Sequence, residues 1–360
     1  MNIIQKIKNF WKNKNQKALP EAQMNNSQNT NIKQNRKWIL PNTQSNQVTK
    51  LDQEIDSFLH AYSDIIENTY PNQTMDSYRM AYSALVRMNG KAVTQEEYNN
   101  NYYQEQLLLN QLYRDNQYTV QTQGTQDRTA FYHIKSAGYQ MPSYNDMLRI
   151  YINCNNANIS ELSNLILSCN KNPNFYMKFT SNISNATGPR GEKIVIYCDK
   201  NDFDYNLQLI QYTKSIRPDL YKESENVLPF LQNIDNTVSV SQQPLTNQFI
   251  DLYGNYKSVP QSTNAFLATT LKDSYIGAAR EIARCDANLS FLLQDEYVND
   301  EILYMRNYKY IDANYHDYLL KSMEAKMEVL SARNNLYIDG LNQQMTQNNE
   351  IDKQTSYYRE

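Results

Sequence analysis

Glycine is scarce in this chain, with 8 residues in 360, and the shortage excludes one way of handling phosphate. A loop that cradles phosphate with backbone amides needs several glycines in a fixed run, and neither G-x-x-x-x-G-K-[ST] nor G-x-G-x-x-G occurs. Histidine is scarcer still, limited to His60, His133 and His316, and the four cysteines, Cys154, Cys169, Cys198 and Cys285, have no C-x-x-C spacing. No zinc framework can be written from such a set. A chain this long builds a core without disulfide staples, so the thiols are expected to be reduced and buried, as in a cytoplasmic protein. No run of about 18 apolar residues occurs, which argues against a membrane-spanning helix. No apolar segment with a small-residue cleavage site opens the chain, so signal-directed secretion is not expected. G-x-S-x-G, H-E-x-x-H, a cysteine with a plausible histidine partner and the protein-kinase loops are also missing, and hydrolytic and nucleotide chemistry lose weight accordingly.

What the chain has in excess is tyrosine, 30 residues, and asparagine with glutamine, about a fifth of the total. Its formal net charge of −3 hides an asymmetry: residues 1–50 hold nine Lys or Arg against Glu21 alone, so the remainder stands at −11. Residues 1–50 read as a basic, flexible tail. Its first turns, MNIIQKIKNFWKNK, set Ile3, Ile7 and Phe10 opposite Lys6, Lys8, Lys12 and Lys14. That pattern in residues 1–14 allows contact with an anionic membrane or acidic partner, although a solvated tail is the preferred reading. Basic residues inside the acidic body stand out instead as site candidates. A pI near 5.8 lacks the footprint of a nucleic-acid binder, so no nucleic-acid partner is expected.

Apolar residues recur at helical steps from Leu51 to about Tyr113, which predicts an N-terminal helical layer, assigned to residues 51–140. The pattern then changes. LRIYINC (148–154), FYMKFTS (175–181) and KIVIYCD (193–199) are β-branched and aromatic and read as strands, and Ile159 to Leu167 has helical spacing. FDYNLQLIQYTKSI (203–216) reads as a helix stopped at Arg217-Pro218; a Pro- and Ser-containing connection runs through Pro244 and Pro260, and Thr263 to about Gln347 is again helical. The expected fold is α+β, a central, mostly antiparallel sheet flanked by N-terminal and C-terminal helices, with residues 141–350 as its core and 51–350 readable as one domain.

The central strands carry a cationic and phenolic set. Arg149 and Tyr151, two apart, share a face; Lys178 lies on the second strand, and Arg190 follows Gly188-Pro189 before the third. RIYIN, the following helix, FYMKFTS, PRGEKIVIY, Pro218-Asp-Leu-Tyr221, LPF at 228–230 and Gln242-Gln-Pro244 together resemble the HopA family of bacterial type III effectors, over roughly residues 140–290. Relatives of that family serve as lyases in class V lanthipeptide biosynthesis. The family is distantly similar to the OspF/SpvC phosphothreonine lyases, in which a basic residue and a His two apart on a strand precede a catalytic Lys in a K-x-T setting and a phosphate-binding Arg twelve residues on. Lys178-Phe179-Thr180 and Arg190 have that spacing, Arg149 takes the place of the basic residue, and Tyr151 departs from the pattern by standing where the His would.

The resemblance implies Lys178 as general base, Tyr151 as acid or hydrogen-bond donor, and Arg149 and Arg190 as phosphate clamps, with neither metal nor organic cofactor. It also implies further phosphate ligands after Pro244, where Lys257, Lys272, Arg280 and Arg284 are candidates and Lys257, in the loop YGNYKS, ranks first. A lysine acts as such a base when neighbouring guanidiniums and burial lower its pKa. Each residue also has a plain reading. Lys178 is then a solvent-side strand residue, Arg149 a partner of Asp146, Tyr151 a core aromatic, and His133 an isolated imidazole held in reserve as an acid.

The expected function is β-elimination of phosphate from a phosphoserine or phosphothreonine peptide or protein, giving dehydroalanine or dehydrobutyrine. A kinase or other biosynthetic enzyme is the implied partner. The location is the bacterial cytoplasm, or a host cell if the protein is an effector. The alternative is a non-catalytic effector or peptide-binding protein, motivated by the helical C-terminal third.

Overall fold

A computed structural model describes residues 49–69, 77–88, 90–125, 128–143, 146–188, 190–222, 228–285 and 313–341. Apart from Thr49 and Lys50, the basic stretch at 1–50 lies outside them, as does the apolar pattern around Ile302 to Ile311. Three helices come first: α1 (Lys50–Thr69), α2 (Ser77–Arg87) and α3 (Gln95–Arg114). Then follow β1 (Tyr118–Thr125), β2 (Arg128–Ser136), β3 (Leu148–Ile152), α4 (Ile159–Cys169), β4 (Tyr176–Thr180), α5 (Asn182–Thr187), β5 (Ile194–Cys198) and α6 (Lys200–Ile216). The chain continues through β6 (Gln232–Asp235), β7 (Val238–Gln242), β8 (Gln248–Ile250), β9 (Tyr256–Ser258), α7 (Thr263–Cys285) and α8 (Ala313–Asn334). Seven strands form one sheet in the order β1-β2-β4-β5-β3-β7-β6, with every pairing antiparallel, and β8 pairs with β9 separately. The fold is therefore α+β. No helix among the described residues is long and apolar enough to cross a membrane.

The five-residue strands β3, β4 and β5 fall where the β-branched and aromatic runs predict them, and alternation gives the sheet two unlike faces. One cross-strand row on the first face reads Ile134, Met177, Ile196, Ile150 and Val240. That face packs with Ile159, Leu162 and Ile166 of α4, Phe203, Leu207 and Ile210 of α6, and Leu108 and Leu112 of α3. From the second face Tyr151, Val195 and Tyr197 join a larger cluster with α1, α2, α7 and α8, through residues such as Phe58, Tyr62, Leu85, Phe266, Leu271, Met323 and Met327. Cys154 and Cys198 are buried free thiols, and Cys169 is free and partly buried.

Two segments differ from the sequence reading. Residues 118–136, taken as the end of the helical layer, form the β1–β2 hairpin. β1 is an edge strand rich in Thr and Gln, so it lacks the apolar alternation that marks a half-buried strand. The connection before α7 likewise contains β6 to β9. These strands are three to five residues long and mostly polar, too short to show a period.

Candidate functional site

Side-chain rows across the sheet bring the candidates together. His133, Lys178, Val195, Tyr151 and Ser239 stand in one row, and Tyr176, Tyr197, Arg149 and Ser241 in the next. β5 separates the strands of Lys178 and Arg149 and the two residues stand in adjacent rows, so their backbones are about 12 Å apart, a gap two long cationic side chains can narrow. Arg190 enters from the segment before β5. Lys178 Nζ lies 4.0 Å and Arg190 Cζ 5.0 Å from the centroid of the same ring, Phe131. Arg149 lies over Tyr197 at 5.2 Å, and Tyr197 stacks on Tyr176 at 4.4 Å. The cations thus rest on aromatic faces, which hold a guanidinium or ammonium without neutralising it.

One carboxylate serves all three. Glu192 is 2% exposed; its Oε1 accepts from Arg190 Nη1 at 3.3 Å and its Oε2 from Asn264 Nδ2, in the first turn of α7, at 2.9 Å. Its charge also acts on Lys178, Arg149, Tyr151 and Tyr82. Burial is the largest influence on Lys178 and lowers its pKa, but Glu192, with Tyr197 and Tyr82, outweighs it, and the ammonium is held above its ordinary value. This reverses the expected depression of Lys178: Arg149 does push it down, but the sequence reading had no place for a buried carboxylate two residues after Arg190.

Arg149 is pinned on its inner side. Its Nη2 donates to Gln243 Oε1, Gln243 Nε2 donates to the Gln261 carbonyl at 2.7 Å, and Gln261 Nε2 donates to the Pro244 carbonyl at 2.9 Å. The Gln-Gln-Pro segment therefore works as a staple that sets the guanidinium. Arg149 Nε is buried without a hydrogen-bond partner among the described residues. Asp146 pairs with Lys200 at 3.6 Å, so the plain reading of Arg149 as its partner does not hold.

Tyr151 is 1% exposed. Its hydroxyl hydrogen-bonds Arg149 and accepts from Ser241 Oγ at 3.3 Å, and burial raises its pKa. It supports Arg149 from inside rather than facing solvent. His133, in register with Lys178, has Nδ1 2.6 Å from the Tyr176 hydroxyl and Nε2 2.7 Å from Gln123 Oε1. Burial, then Lys178 and Lys135, push it down to about 4, so at neutral pH it is an uncharged hydrogen-bonding group.

The later cations are not brought here. Lys257 Nζ is 3.1 Å from Asp273 Oδ2 and 3.7 Å from Asp251 Oδ2. Asp273 lies nine residues past Asn264 on α7, about 13.5 Å along the helix axis. Lys272 Nζ is 3.5 Å from the same Asp273, Arg280 Nη1 donates to the Tyr253 hydroxyl at 3.5 Å, and Arg284 lies further along α7.

The chain is similar to two bacterial effectors of known structure. One is an effector protein from Pseudomonas syringae pv. tomato strain DC3000, 12% identical, covering 70% of this chain and 98% of that one with a TM-score of 0.38. The other is an effector protein from Pseudomonas syringae pv. syringae strain 61, 13% identical, covering 67% of this chain and 95% of that one with a TM-score of 0.42. At these values neither carries a conclusion about chemistry. No family model and no curated protein matches the chain.

Sequence reasoning missed Glu192, Asn264 and Gln243 as members of the site. Glu192 and Gln243 stood inside the motifs PRGEK and Gln-Gln-Pro, but only as spacing markers. Asn264 has no local signal, because its role comes from where α7 starts against the sheet.

Proposed function

We propose that this chain is a phosphoserine/phosphothreonine lyase-like enzyme, eliminating phosphate from a peptide to leave dehydroalanine or dehydrobutyrine. The observation that supports this reading best is the gathering of Arg149, Lys178 and Arg190 on one polar, aromatic-lined sheet face, with Lys178 and Arg190 on a single ring. Arg190 and Arg149 grip the phosphate oxygens through their guanidinium N–H groups. Lys178, once neutral, removes the Cα proton; the Cα–Cβ double bond forms as the Cβ–O bond breaks, and its electrons leave with the phosphate. The proton taken from Cα is the one the phosphate needs to depart as hydrogen phosphate, so no external acid enters the balance. Tyr151 contributes as a hydrogen-bond acceptor that fixes Arg149.

The test is mass spectrometry of a phosphothreonine and a phosphoserine peptide after incubation with the protein. Loss of one phosphoric acid is expected, with Lys178→Ala folded but slower by at least about 100-fold. No dehydrated product, while a known lyase works in parallel, overturns the enzyme reading; full activity in Lys178→Ala overturns the assignment of the base. One observation favours a second reading, a phosphopeptide-binding module without chemistry: Glu192 helps hold Lys178 protonated. Saturable phosphopeptide binding with no dehydrated product is its signature.

A further inference from the structure

The pairing of Arg190 with Glu192 is lopsided. Glu192 is buried and anchored from behind by Asn264 at 2.9 Å. Arg190 is the more exposed of the two at 21%, with one nitrogen 3.3 Å from the carboxylate and its guanidinium carbon 5.0 Å from the centroid of the Phe131 ring. A bidentate guanidinium pair is shorter and uses two donors; this one leaves Arg190 with donors to spare. Of the two partners, the arginine is the one able to exchange its ligand. In the resting site, with Lys178 protonated, three cations and one carboxylate leave two positive charges, the number a phosphomonoester dianion neutralises on binding, before Lys178 gives up its proton to act as base.

We propose that Glu192 is a resident counter-ion of the phosphate site, holding Arg190 when no phosphate is bound, yielding it to the substrate phosphate, and taking it back as the product phosphate leaves. This rests on the lyase reading for the word substrate, and on the anion site alone for the exchange. Its consequence for turnover is that Glu192 weakens binding of substrate and product together and speeds release. Removing its charge then lowers KM, lowers kcat where release limits the rate, and makes inorganic phosphate a stronger product inhibitor. A purely structural carboxylate would not move KM and kcat downward together.

The experiment is calorimetric titration of inorganic phosphate into the full-length protein and its Glu192→Gln variant, with steady-state kinetics on the phosphothreonine peptide and a melting curve for each. The amide introduced by Glu192→Gln keeps an acceptor for Asn264, and phosphate is expected to bind about tenfold tighter, with KM and kcat both reduced. Should that variant fail to fold, Glu192→Asp, which withdraws the carboxylate from Arg190 by one methylene, is expected to bind phosphate about threefold tighter. A folded variant that binds phosphate no tighter than the wild type overturns the counter-ion role and leaves the lyase reading standing. A wild type that binds no phosphate overturns both. Tight phosphate with no dehydrated product overturns the lyase reading alone.

Discussion

Glu105 of α3 is a buried carboxyl that accepts the Asn182 amide at 2.7 Å and the Tyr132 hydroxyl at 3.4 Å, and burial raises its pKa from 4.5 to about 7. Between those values the folded protein keeps a proton that the unfolded chain gives up, so this residue's contribution to stability falls as pH rises and the cost is complete above about 7. A tenfold change in proton affinity is worth about 1.4 kcal/mol, which makes the full effect roughly 3 kcal/mol. Glu105→Gln keeps the acceptor for Asn182 and removes the titration. It is expected to be more stable than the wild type by about 1–3 kcal/mol at pH 8 and equal to it near pH 4, in urea unfolding at the two pH values. An equal gain at both values would sink the argument. His133 has the opposite sign. Its pKa is lowered to about 4, so its contribution is lost as pH falls from about 6.5 to 4; comparing variant with wild type at each pH removes that background.

At the scale of elements, α3 illustrates how much a local signal fixes. Thr94 caps it, accepting from the Glu97 amide at 3.2 Å while Glu97 Oε2 accepts from the Thr94 amide at 2.9 Å. Asn101 and Glu105, on the buried side of the helix, then reach Ser160, at the start of α4, and Asn182. Thr94→Ala is expected to cost about 1 kcal/mol in chemical denaturation with an unchanged urea slope; no measurable loss would mean that packing alone holds the first turn. Elements with a strong local signal were legible: β3, β4, β5, α4 and α6 lie where apolar runs and periodicity place them, because a five-residue run rich in β-branched and aromatic residues between turns has few other solutions. The β1–β2 hairpin was not, since its edge strand is polar and its pairing with β4 through β2 is a tertiary fact. The site follows the same division. The placing of Arg149, Tyr151 and Lys178 on central strands was legible because strand alternation is local, whereas the linking of Lys178 to Arg190 twelve residues on came from the family resemblance. The burial of Tyr151 and the Glu192–Asn264 contact depend on α7, more than seventy residues away in sequence from Glu192, and no local pattern encodes them.

For the whole molecule, the decisive feature is that one sheet floors both apolar clusters. Ile150 and Tyr151 are consecutive on β3 and point into opposite clusters, and Ile194, Val195 and Ile196 alternate in the same way on β5. Neither cluster can lose its strands without removing them from the other, so the described chain is expected to unfold as one cooperative unit. Leu162 on α4 and Leu271 on α7 are each fully buried, one in each cluster. Leu162→Ala and Leu271→Ala should each cost about 2–5 kcal/mol, and each should move a single transition seen identically by far-ultraviolet circular dichroism and tyrosine fluorescence. Two transitions, each shifted by only one of the substitutions, would show that the clusters fold as separate domains. In that case the proposed phosphate site, whose Arg149 and Lys178 stand on the sheet and whose Asn264 stands on α7, would lie across a domain boundary and lose Asn264 from Glu192 at the first transition.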